Sequence, residues 1–161
     1  MRAGLGGVES VTWKATLREQ LERHEGNKKY PYIDTVGKTS IGIGRNLTDK
    51  GLRPTEIDLM YQNDVHDAED DARALLGDSI FELLTDNRKA VIVNMAFNLG
   101  LTRLRKFVIM LKAIKEGRNL DVASAMLSSK WAEQVGVRAT ELARLWREGE
   151  SMSIIMSIIT L

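Results

Sequence analysis

Two carboxylates nine positions apart carry the chemistry most directly readable in this chain: Glu25 in His24-Glu25-Gly26 and Asp34 in Tyr32-Ile33-Asp34-Thr35. Cleavage of a glycosidic bond needs one carboxyl protonated, to protonate the departing oxygen, and a second ionised, to act as base or charge stabiliser. Two carboxyls in different local environments can hold those two states at one pH.

The surroundings of each acid supply that difference. Trp13, Leu17 and Leu21 recur at helical spacing and Gly26 follows as a C-cap, so a helix stops at Glu25. Unpaired carbonyls and the dipole at a helix C-terminus disfavour negative charge, which favours the protonated acid there. Asp34 stands at the edge of a polar turn with Thr35, Thr39 and Ser40 nearby, where hydroxyls and backbone N–H groups stabilise the ionised form. Ser40 could orient an attacking water together with it. With 22 acidic residues in the chain, many Glu…Asp pairs arise by chance, so the context and not the spacing carries the inference.

Positioning these residues falls to a few elements. Tyr30 to Leu47 alternates with period two around Thr35-Val36-Gly37-Lys38 and ends in Ser40-Ile41-Gly42-Ile43-Gly44, which predicts a small antiparallel hairpin with one bare face. Pro54 opens a helix over 54–76, about 35 Å long, with Ile57, Tyr61, Val65, Ala68, Ala72 and Leu76 as its apolar stripe. It is suited to act as a spine between two lobes. Helices follow near 79–84, from a cap at Asp86 to Gly100, and at 103–116, 119–131 and 137–148. Residues 91–100 carry no charge and are expected at the centre of the helical bundle. The fold class is therefore α+β and mostly helical, with a small N-terminal hairpin lobe joined by a long helix to a helical lobe. A single domain is expected over 13–149, its lobes at about 13–60 and 70–149, flanked by an extension at 1–12 and a tail at 150–161.

Composition sets the limits. At 161 residues the chain is the size of one ordinary domain. It has no cysteine, so thiol catalysis and thiolate metal sites are excluded. No apolar run approaches the roughly 20 residues that span a bilayer, and stable membrane insertion is not expected. The first nine residues contain one arginine and no sustained apolar run before Glu9, so no secretory signal is read there. Net charge is +1 but uneven: +3 over residues 1–50, −6 over 51–90 and +4 over 101–150. Basic ends around an acidic middle suit an anionic polymer, although most such charges belong to solvated helix faces.

Several motifs together resemble the phage lysozymes, muramidases of glycoside hydrolase family 24 typified by the T-even phage enzyme. They are Arg23-His24-Glu25-Gly26, Asp34-Thr35-x-Gly37-x-x-Ser40-Ile41-Gly42-Ile43-Gly44, Asn63-Asp64-Val65, Asn94-Met95-Ala96-Phe97-Asn98-Leu99-Gly100 and Lys130-Trp131…Gln134-x-x-x-Arg138-Ala139. They run in the family's order over about residues 17–149. The resemblance implies a lysozyme-like fold and hydrolysis of β-1,4 bonds between N-acetylmuramic acid and N-acetylglucosamine in peptidoglycan. Glu25 takes the place of the acid, Asp34 of the second carboxylate and Ser40 of a threonine completing the triad. Arg138 is expected to reach the acid from the C-terminal lobe, Phe97 and Asn98 to line the cleft, and Arg45 to bind substrate. Arg45 replaces a family histidine and is expected to pair with Asp64. The segment from Arg45 to Pro54 is shorter than in the T-even enzyme, which trims the sheet side. The resemblance further implies no cofactor, a monomer whose partner is bacterial peptidoglycan and not nucleic acid, and holin-dependent release from the host cytoplasm to the periplasm or wall.

Competing motifs are poor. His24-Glu25 lacks the second histidine of a zinc-binding HExxH, and His66 is the only other histidine, so no metal site is expected. Gly42-Ile43-Gly44 lacks the third glycine of a dinucleotide fingerprint. Trp13, Trp131 and Trp146 are assigned to core packing, His66 to solvent, and the repeat Met152-Ser153-Ile154-Ile155-Met156-Ser157-Ile158-Ile159 to a packed terminal element. The rival functions are a lytic transglycosylase or chitinase using the same acid and a noncatalytic wall-binding or virion protein that kept the fold.

Overall fold

The computed structural model describes residues 12–149. The expectations for the N-terminal extension before Thr12 and for the repeat at 152–159 lie outside these residues. The chain divides into two compact units, one ending at Ile57 and the other beginning at Asp58.

The first unit opens with α1 (Trp13–Glu25), its Thr12 side chain accepting from the Ala15 amide and its Gly26 amide closing on the Glu22 carbonyl. Three antiparallel strands follow in the order β1 (Lys28–Ile33), β2 (Thr39–Gly42) and β3 (Arg45–Asn46). The single expected hairpin is thus a three-stranded sheet. Gly42 and Gly44 both take positive φ, and the tight turn they permit returns the chain for a further strand instead of extending the second. A short helix α2 (Leu47–Lys50), capped by the Asn46 side chain, fills the segment before Pro54.

The apolar core lies elsewhere. Every buried apolar residue among those described falls between Ala68 and Trp146. Within α1 no residue is buried, and Trp13 is 71% exposed, contrary to the core role expected of it. Helical periodicity identifies a stripe without saying what covers it. Trp131 and Trp146 are buried as expected.

α3 (Pro54–Leu76) has the expected bounds, and the boundary between the units falls within it. Only the later part of its stripe, Ala68, Ala72 and Leu76, is buried; Ile57 and Tyr61 are exposed. His66 faces solvent beside Asp70, 3.7 Å away.

The second unit continues with α4 (Asp78–Leu83) and α5 (Asp86–Leu104). Thr85, not Asp86, caps α5: its hydroxyl accepts from the Arg88 amide, and Asp86 is the first helical residue. Gly100 interrupts the helix at φ 67°, as its position suggested, but one more turn follows to Leu104. The next helix consequently starts late, as α6 (Val108–Lys115). The helix expected over 119–131 is two, α7 (Asn119–Leu127) and α8 (Lys130–Val135), because Ser129 leaves the helical conformation and its hydroxyl caps the Ala132 amide. α9 (Val137–Glu148) has the expected bounds.

The core of this unit is built on α5, whose uncharged segment buries Val91, Ile92, Met95 and Ala96 as expected. Alanines at 123, 139 and 143 leave little side-chain bulk where α7 packs on α9. Trp146 is fully buried and held from outside by Arg88, which donates Nε to its carbonyl at 3.2 Å.

Candidate active site

The acid and its surroundings are built by the first unit. α1 ends at Glu25 because Gly26 adopts φ 77°, a region that side-chain-bearing residues rarely enter. The Glu25 side chain then lies against the β2–β3 turn: a carbon added to Gly44 would stand 3.2 Å from Oε2, 3.3 Å from Cγ and 3.4 Å from Cδ of Glu25. The glycine is therefore part of the seat of the carboxyl, a role the sequence indicated only as the bare face of a hairpin.

Asp34 is held from two sides. Its Oδ1 accepts from the amides of Lys38 at 2.8 Å and Val36 at 3.0 Å, and its Oδ2 accepts from the Ser40 hydroxyl at 3.1 Å. Its own backbone closes the turn, donating to the Lys38 carbonyl and accepting from Gly37. The Lys38 amide chiefly, with help from the Val36 amide, the Ser40 hydroxyl and the charge of Lys38, holds the carboxyl below its ordinary value despite the opposing effect of desolvation. This is the direction expected of a carboxyl set among turn amides and hydroxyls. Ser40 is the one buried polar residue among those described, 2% exposed in the middle of β2.

Arg45, expected to pair with Asp64, is engaged within the first unit by Glu56. Its Nη2 stands 2.5 Å from Oε1 and its Nη1 3.0 Å from Oε2, with a further bond from Nη1 to the Gly51 carbonyl at 3.1 Å. Sequence reasoning missed Glu56 because an acidic residue in the first turn of a helix is already accounted for by the dipole. The overlooked signal was Arg53-Pro54-Thr55-Glu56, the spacing at which a glutamate reaches back to the helix-capping amide.

The remaining expected residues belong to the second unit. Phe97 is half-exposed on α5, and Asn98 accepts from the buried Trp131 indole at 2.8 Å. Arg138 on α9 donates from Nε and Nη2 to Asn94 Oδ1 at 3.0 and 2.7 Å. Phe97 and Arg138 share a groove of about 560 Å³ with Tyr61, Val65, Phe81 and Asn94. Among the described residues no group of His, Asp and Glu gathers as metal ligands would, and no helix is long and apolar enough to cross a membrane.

Residues 22–148, which include all of these side chains, match the model of the phage lysozyme family. The chain belongs to the phage lysozyme family. It is also similar to two proteins of Dictyostelium discoideum, probable T4-type lysozyme 2 and probable T4-type lysozyme 1. Each is 24% identical to it, over 84% of this chain and 95% of the relative. Membership makes the chain a lysozyme-like peptidoglycan hydrolase, a glycosidase on an α+β fold.

Proposed function

We propose that the protein is an endo-acting muramidase that hydrolyses the β-1,4 bond between N-acetylmuramic acid and N-acetylglucosamine. Glu25 protonates the leaving oxygen, and Asp34 with Ser40 positions and activates the water. The observation that carries this reading is the three-donor cradle of Asp34, in which two amides and a buried hydroxyl keep a carboxylate ionised and fixed. A hydrolase needs a held water opposite its acid, and an anchored carboxylate with a neighbouring hydroxyl provides the partners for one. Phe97, Asn98 and Arg138 contribute to sugar binding in the same reading.

The physiological setting we infer is lysis of a bacterial host. A monomer needing no cofactor leaves the cytoplasm through a holin-dependent route and degrades the wall for phage release. The deciding experiment is clearing of a purified peptidoglycan suspension by the wild-type protein and by Glu25→Gln. The variant is expected to lose activity by about 10²-fold or more. Equal clearing by both would overturn the role of Glu25, and anhydro-muramic ends in the products would replace hydrolysis with transglycosylation.

A further inference from the structure

β3 is only two residues long and pairs with β2 through Ile41↔Arg45 and Ser40↔Asn46. So short a strand makes too few ladder bonds to fix its own position. Yet its immediate neighbour, Gly44, forms the seat of Glu25, and its second residue stands opposite the buried Ser40. Something outside the ladder must hold it.

We propose that Arg45 is a positioning residue: clamped by Glu56, it fixes the β2–β3 turn against which Glu25 rests, and so sets where the acid stands. This rests on the reading of Glu25 as the proton donor. The clamp is a two-pronged guanidinium–carboxylate pair, the geometry in which such pairs are strongest and most directional. Three of the five guanidinium N–H groups are used, two by Glu56 and one by the Gly51 carbonyl. The far end is anchored as well, since Glu56 Oε2 accepts from the Arg53 amide at 2.8 Å where α3 begins. That amide first, and then Arg45, hold the Glu56 carboxyl below its ordinary value, so the pair stays ionised. One peptide unit separates the clamp from the seat of the acid.

Steady-state turnover of purified peptidoglycan by Arg45→Met, Glu56→Gln, the double variant and Arg45→Lys tests this, in parallel with NMR of the Gly44 amide and the Glu25 carboxyl carbon. Positioning predicts that both single variants lower kcat by about ten- to hundredfold with KM nearly unchanged. The double variant should then be no worse than either single one, because both remove the same clamp. Arg45→Lys keeps the charge but not the fork and should restore only part of the rate. Both resonances should move in the same direction in Arg45→Met and Glu56→Gln.

A raised KM at unchanged kcat in Arg45→Met, with Glu56→Gln behaving as wild type, would make Arg45 a substrate contact and overturn the proposal. Unmoved resonances in folded variants would overturn it too. The NMR measurement needs no turnover, so a wild-type protein without activity would sink the muramidase reading while the clamp was still tested. Should Arg45→Met fail to fold, Arg45→Lys and Glu56→Asp, which keep both charges, carry the same comparison.

Discussion

Gly44 leaves the space that the Glu25 side chain borders: a side-chain carbon at residue 44 would meet Oε2, Cγ and Cδ of the glutamate at 3.2–3.4 Å. Distances in that range are tighter than ordinary van der Waals packing, so the acid stands where it does partly because residue 44 has no side chain.

Gly44→Ala is therefore expected to do two things. The positive φ of 72° costs about 1–2 kcal/mol for any L-residue, seen as a lowered melting temperature. Displacement of Glu25 lowers kcat by about tenfold or more in addition. Gly117→Ala supplies the control, because Gly117 has a φ of 69° but nothing within 4 Å of the added carbon. It should lose stability and keep activity.

The cradle of Asp34 sets a pH dependence. If the proposed role of Asp34 holds, activity requires its ionised carboxylate, whose value lies below the ordinary 3.8, so the acid limb of kcat attributable to Asp34 is expected below that pH. Ser40→Ala removes the donor to Oδ2 and should move this limb upward while lowering kcat by about tenfold. Ser40→Thr keeps the hydroxyl and stiffens χ1, and should stay within about threefold of wild type if the buried site admits the methyl. A pH–rate profile of the three proteins is the measurement.

The same shift links to stability. A carboxyl depressed on folding contributes stability that is fully present above its unfolded value and is lost as pH falls through the folded one. Asp34 and Glu56 both have this sign, so urea midpoints should decline between roughly pH 5 and pH 2. Asp34→Asn should flatten part of that decline and Glu56→Gln another part.

Stereochemistry follows from how Asp34 is held. A carboxylate bound by three donors is stabilised as an anion and is a poor nucleophile, which suits a base that activates water. The expected product anomer is the inverted one, read by NMR on freshly cleaved glycan before mutarotation. Retention would make Asp34 the nucleophile instead.

In the second unit, Thr85 caps α5 and also donates to the Gly149 carbonyl at 2.9 Å, closing the end of α9. Thr85→Ala should destabilise by about 1–2 kcal/mol, the sum of a cap and one hydrogen bond. Trp146→Ala should cost about 3–5 kcal/mol, since the ring is fully buried. Both are measured as shifts in urea midpoint.

The amino-acid sequence determined the local features of this protein. Helical periodicity and glycine placed the end of α1 at Glu25, Pro54 and Gly77 bounded α3, and turn residues set Asp34 where backbone amides could receive it. These are short-range effects, set by dihedral preferences and hydrogen bonds between residues a few positions apart, and they left their mark on residue type and spacing. The family motifs were legible for the same reason.

Only the tertiary structure decided which residues meet. That Gly44 seats Glu25, that Arg45 pairs with Glu56, and that Trp131 is buried while Trp13 is exposed all depend on where the chain returns in space. The break at Ser129 and the third strand belong with these, because a hydroxyl or a glycine allows a turn without requiring it. A charge or a ring can satisfy itself with any of several partners at similar cost, and the packing of the folded chain selects among them.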